Sequence, residues 1–186
     1  MTALIIVLVI LAVLAMFLVG MYNGLVRARN EVGNAWSQID VQLNRRHDLI
    51  PNLVETVKGY MTHERETLEA VVKARQQAVQ ITGGSIEDKA RVENQLSQTL
   101  KSLFAVSENY PQLKANENFL ALQEELASTE NKISFSRQFY NDSALNLNNK
   151  VEMFPTNIFA GMFNFRKAQF FEVESAEVRK PVAVKF

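Results

Sequence analysis

The sequence predicts an all-α protein: an N-terminal transmembrane helix, four helices that return on one another, and an irregular, aromatic-rich C-terminal segment. Three observations carry this prediction. Met1 to Val26 contain no Asp, Glu, Lys, Arg or His. Beyond Tyr22, apolar residues recur at spacings of three, four and seven, the signature of amphipathic helices. From Phe154 to Phe186 phenylalanines crowd a stretch that Pro155, Gly161 and Pro181 keep from forming one long helix. The expected boundaries are 1–22 for the anchor, 23–153 for the helices and 154–186 for the aromatic segment.

The anchor comes first. Ala3 to Val19 is almost wholly Leu, Ile, Val, Ala, Met and Phe, and extension through Tyr22 supplies the roughly 20 apolar residues that cross about 30 Å of hydrocarbon. No basic n-region and no clear A-x-A site precede a cleavage point, so the segment is expected to be retained. Tyr22 suits headgroup depth, and Arg27 and Arg29 place the basic flank on the C-terminal side. That flank predicts a single-pass protein with its N-terminus outside and the rest of the chain cytoplasmic. The absence of cysteine excludes disulfides and thiolate metal sites and fits a reducing compartment. Net charge is zero with both signs interspersed, which gives no argument for nucleic acid.

The first helix after the anchor presents Tyr22, Leu25, Val32, Trp36, Ile39 and Leu43, with Trp36 read as a core anchor. The second presents Ile50, Leu53, Val57, Met61, Leu68, Val71, Val72 and Val79. Gly83-Gly84 end it, and Ser85 with Asp88 resembles a capping box opening the third, which carries Ile86, Ala90, Leu96, Leu100, Leu103 and Phe104 and stops at Tyr110-Pro111. The fourth carries Phe119, Leu122, Leu126, Ile133, Tyr140, Ala144, Leu147 and Val151. Between the first two, Arg45 and Arg46 suit a helix C-terminus, and Asp48 an N-cap ahead of Pro51. These residues predict a tight reversal; the alternative is one long helix kinked at Pro51. At 1.5 Å per residue the first helix rises about 39 Å and a return helix to Ile81 descends about 50 Å. The return helix must therefore tilt, bend or break, with Gly59 the favoured place.

Several long motifs resemble the LemA family. They are Tyr22-Asn23 to Arg29-Asn30, Ala35-Trp36-Ser37-Gln38-Ile39-Asp40-Val41-Gln42-Leu43, Arg45-Arg46-His47-Asp48-Leu49-Ile50-Pro51-Asn52-Leu53-Val54, Pro111-Gln112-Leu113-Lys114-Ala115-Asn116, Glu130-Asn131-Lys132-Ile133, Arg137-Gln138-Phe139-Tyr140-Asn141 and Phe154-Pro155. The resemblance covers essentially the whole chain. It implies a bacterial single-pass membrane protein with a cytoplasmic antiparallel four-helix bundle and no accepted biochemical function. Genes of the family often accompany an HtpX-type membrane metalloprotease, which makes an adaptor role a second reading.

The residues supply little chemistry of their own. His63-Glu64 begins like a zinc-protease helix, but Thr67 stands where the second imidazole belongs. Asn44 and Tyr60 stand three residues before His47 and His63, where a di-iron bundle needs Glu. Both histidines are expected at helix ends or on a solvated face. Gly83-Gly84-Ser85 lacks the spacing of a nucleophile elbow and Lys58-Gly59 is no phosphate loop. No catalytic, cofactor or metal residues are expected, nor a small-molecule substrate. Gln38, Asp40 and Arg137 flank core positions and read as a half-buried polar network or a recognition groove.

Candidate partner-binding residues fall in two places. Arg45, Arg46 and Asp48 form a corner that the first helix would carry to a membrane-distal tip; caps explain it, and docking of an acidic partner would use it. Phe159, Phe163, Phe165, Phe170 and Phe171 either plug the helices within one subunit or contact a neighbour or the membrane surface, with Val182, Val184 and Phe186 adding a short edge strand. The expected function is a non-enzymatic, self-assembling scaffold whose partners are the membrane and further copies of the chain. The adaptor reading would add another membrane protein.

Overall fold

The computed structural model describes residues 1–81 and 84–171. Every regular element among them is helical: α1 (Thr2–Lys58), α2 (Arg65–Gln80), α3 (Ile86–Ser107), α4 (Pro111–Lys114), α5 (Glu117–Glu152) and α6 (Thr156–Met162). The edge strand expected around Val182 lies outside the described residues. The described residues divide into two compact units, one of residues 1–40 with 135–169 and one of residues 41–134 with 170 and 171.

The expected reversal at Arg45–Pro51 does not occur, because α1 continues through Pro51 to Lys58. Proline lacks the N–H that would bond the carbonyl four residues back, here that of buried His47. Arg75 of α2 supplies the missing donor, its Nε lying 2.7 Å from the His47 oxygen. The buried stripe of α1 runs past the proline without losing phase, through Leu43, Arg46, Ile50, Leu53 and Val57. Reversal comes instead at residues 59–64, beginning at Gly59, where the sequence predicted only a tilt, bend or break in the return helix.

In the unit of residues 41–134, apolar side chains from four helical stretches share one core: Ile50, Leu53 and Val57 of α1, Val71 and Ala74 of α2, Leu96, Leu100 and Leu103 of α3, Phe119 and Leu126 of α5. Val72 and Val79, assigned to the stripe from sequence, are exposed; the small Ala74 and Ala78 face inward instead. Helix starts follow local chemistry. Ser85 Oγ accepts the Asp88 N–H at 3.1 Å, and Asn116 Oδ1 accepts the Phe119 N–H at 3.0 Å; each satisfies a donor that a helix N-terminus leaves open. The two corners are tied as well: Asn116 Nδ2 donates to Tyr60 Oη at 3.1 Å and Tyr110 Oη donates to Glu64 at 3.3 Å.

In the other unit α1 and α5 run antiparallel. Lys150 Nζ reaches the Gly24 carbonyl, and further along the pair the Trp36 and Tyr140 rings meet edge-on at 5.7 Å. Trp36 is half-buried rather than a core anchor, the interior stripe using Leu25, Ala28, Ala35 and Ile39. Small alanines let α5 lie close to α1 there, and the larger ring sits at the margin. The large apolar residues between Leu4 and Phe17 remain at least half exposed. This stretch of α1 is the one candidate membrane span among the described residues.

After α5 the chain folds back over the base of the pair. α6 ends with Asn164 in the left-handed region (φ 56°). Phe165 N–H then bonds the Ala160 carbonyl and Asn164 N–H that of Gly161, the Schellman pattern, with asparagine tolerating the conformation that glycine usually takes. Phe165 and Ala160 join Leu25 in a small core, with Val26, Val151 and Phe159 against it. Beyond it Asn148 pairs with both main-chain groups of Ala168 (2.8 and 3.0 Å), and Tyr140 Oη donates to the Gln169 carbonyl at 2.8 Å.

Candidate functional site

Arg46, expected on a basic corner, is buried at 1% exposure at a core position of α1. It sits where the stripe demands an inward residue, so its charge must be met from other helices. Glu93 of α3 pairs with its Nη2. Glu130 of α5 lies 2.6 Å from Nη1, and Ser97 Oγ accepts from the same nitrogen at 2.7 Å. Ser97 in turn donates to Glu130 at 3.1 Å. His47, expected at a helix end or on a solvated face, is buried mid-helix, with Nε2 2.9 Å from the other Glu93 oxygen. His63 lies exposed in the corner between α1 and α2.

Burial alone would raise the Glu93 carboxyl. The close approach of the His47 imidazole and the charge and hydrogen bond of Arg46 outweigh it, and the group is held below the ordinary glutamate value. The cluster is therefore an ionic joint between three helices. Its serine is engaged with Arg46 and Glu130, and its imidazole faces a carboxylate. Arg46, Ser97 and Glu130 of the joint line a mostly apolar cavity of about 200 Å3, whose other walls include Leu100, Phe104 and Leu126. Among the described residues no group of His, Asp and Glu is arranged to hold a metal ion.

The other expected residues separate. Arg45 is exposed and bonds Glu125 of α5 through Nη2 (2.6 Å) and Nε (3.2 Å); Asp48 is exposed on α1. Phe165 is buried under the Arg29 guanidinium, 5.2 Å above its ring, and Tyr22 meets Phe163 and Phe165 edge-on at 4.8 and 6.0 Å. Phe159 is half-buried, Phe171 buried, and Phe163 and Phe170 exposed. Gln38 and Asp40 are exposed and Arg137 half-buried; the buried polar network lies at Arg46, His47 and Glu93.

Two features were missed from sequence. A groove of about 600 Å3 runs between the end of α1 and α2, lined by Val54, Lys58, Met61, Arg65, Leu68 and Val72. Phe135 and Phe139 stand one turn apart on the outer face of α5, 73% and 43% exposed. The groove has no counterpart in a sequence reading that turns the chain at Pro51. The aromatic pair was legible as two rings off the core stripe, since Ile133 and Tyr140 occupy it.

Comparison with known proteins matches residues 35–186 to a family model described as the LemA family. Protein LemA of Metamycoplasma hominis is 30% identical over 165 residues, covering 86% of this chain and 74% of that protein. Magnetosome proteins MamQ 1 and MamQ 2 of Paramagnetospirillum magneticum are each 22% identical over 179 residues, 83% of this chain and 66% of theirs. The helical architecture, the apolar start of α1 and the extent of these matches agree, and the chain belongs to the LemA family.

Proposed function

We propose that this chain is a non-catalytic, membrane-anchored scaffold that associates with further copies of itself, held by α1 in a bacterial inner membrane with its helices cytoplasmic and arranged as an antiparallel four-helix bundle. The observation that carries self-association is the exposed Phe135–Phe139 pair on α5. Two aromatic rings in water on a chain already confined to a membrane form the kind of surface that pairs with its like. The mutual pairing of Arg46, Glu93 and His47 between helices supports a structural use of the buried polar groups over a catalytic one. The relatives' names assign no reaction.

Mass in mild detergent tests the reading. A homogeneous oligomer that falls to monomer in Phe135→Ser/Phe139→Ser, with helicity retained, supports it; a monomeric wild-type chain that gains mass only with another membrane protein overturns it in favour of an adaptor. Orientation is tested by single cysteines at Thr2 and Ser85 on intact cells. Only Thr2→Cys should react with an impermeant thiol reagent, and reaction at Ser85→Cys reverses the assignment.

A further inference from the structure

We propose that α6 is a membrane foot: a short helix whose outer face enters the headgroup layer of the bilayer that α1 spans. The inference rests on the reading of α1 as an embedded anchor. Its depth follows from contacts within one unit. The hydrocarbon boundary on α1 lies between Tyr22, where a span of about 20 residues is complete, and Arg27, the first charged side chain. α6 is packed at that level. Ala160 and Phe159 contact the core around Leu25 and Val26, Phe163 meets Tyr22, and α5 ends beside Gly24 through Lys150.

The opposite face of this segment is apolar and open. Ile158 and Met162 (72% exposed) stand four residues apart on α6 and share one side; Met153 and Phe154 (79%) are exposed in the turn that leads into it. Such side chains at the base of a soluble protein would face water without reason. At headgroup depth they meet acyl chains, and the small apolar face of an interfacial helix seats ~5–10 Å into that boundary. The charges around it agree. Arg27, Arg29, Arg166 and Lys167 are exposed near the foot, with Lys167 paired to Glu152, an excess of cations suited to anionic headgroups. A second copy would have to cover a face that the anchor already holds against lipid. The bilayer is continuous with the surface α1 buries, and it is the occupant we assign.

The cysteine-free chain makes the test direct. Full-length Leu11→Cys, Ile158→Cys, Met162→Cys and Phe135→Cys are each labelled with an environment-sensitive fluorophore and reconstituted into mixed phosphatidylcholine–phosphatidylglycerol vesicles, with and without chains brominated at depths from the headgroup to the bilayer centre. All four positions are exposed, so the labels leave the fold intact, as circular dichroism verifies. Bromine should quench Ile158→Cys and Met162→Cys at least half as strongly as Leu11→Cys, consistent with a seat in the upper acyl region. Phe135→Cys, well along α5 from the base, should be unquenched. Leu11→Cys quenched with Ile158→Cys and Met162→Cys at the Phe135→Cys level overturns the foot and leaves the anchor standing. Leu11→Cys unquenched overturns both. A blue-shifted but unquenched Ile158→Cys assigns the face to a second copy and likewise overturns the proposal.

Discussion

Arg75→Met should reveal how α1 tolerates Pro51. The guanidinium Nε donates to the His47 carbonyl at 2.7 Å, the acceptor that Pro51 cannot serve. Methionine retains most of the apolar stem and removes the donor. A hydrogen bond from a charged group contributes about 1.5–3 kcal/mol, and a buried acceptor left alone costs a similar amount. Arg75 is only half-buried, so the lower half of that range, about 1.5–2 kcal/mol, is expected for the single substitution. Pro51→Ala restores an N–H four residues after His47. In that background Arg75→Met should cost less than about 0.7 kcal/mol, a coupling of about 1 kcal/mol, well above the scatter of a double-mutant cycle. The assay is urea unfolding of the full chain in mild detergent, followed by far-ultraviolet circular dichroism. Equal losses in both backgrounds would refute the reasoning and leave Arg75 a surface cation with no part in carrying α1 past its proline.

Arg46→Met should destabilise by about 3–5 kcal/mol, because it strands the buried Glu93 carboxylate; adding Glu93→Leu should recover more than half of the loss, and a single-variant loss below about 1 kcal/mol in urea unfolding would show the pair to be solvated. Since Glu93 titrates below its ordinary value in the folded chain, its contribution is fully present above the unfolded value of about 4.3 and is lost as pH falls through the lower folded one. The stability advantage of wild type over Glu93→Gln should therefore shrink on acidification from about pH 5, and an advantage independent of pH would contradict the shift. Trp36→Ala should cost about 1.5–2.5 kcal/mol, half the usual toll of a fully buried tryptophan; a larger loss would place the ring in the core.

Helix identity was legible in the sequence because it is local: the stripes, the Ser85 cap and the Tyr110-Pro111 stop sit within a few residues of their effects. The course of the chain at Pro51 was not. Arg45, Arg46, Asp48 and Pro51 individually satisfy the rules for a helix end and a helix start, and what overrides them is a donor on α2 that no local pattern contains. Arg46 shows the same limit from the other side. Its spacing from Leu43 and Ile50 marks a core position, a signal present in the sequence, but its charge suited the cap reading better until Glu93 could be placed opposite it. For the aromatic segment, composition announced rings in need of cover and was silent on how they divide. Phe165 goes inward because a left-handed Asn164 turns it there, whereas Phe154 stays out.

The bonds that fasten residues 168 and 169 to α5 end on main-chain atoms. Asn148 meets the N–H and the carbonyl of Ala168, and Tyr140 meets the carbonyl of Gln169. Every amino acid offers that carbonyl, and all but proline that N–H, so the route of this segment is specified by the helix it crosses and hardly by its own side chains. Substitutions at 168 and 169 are free to accumulate while the path stays fixed. The amide of Asn148 has no such freedom, since an aspartate there would keep one partner and turn the other contact into two facing acceptors.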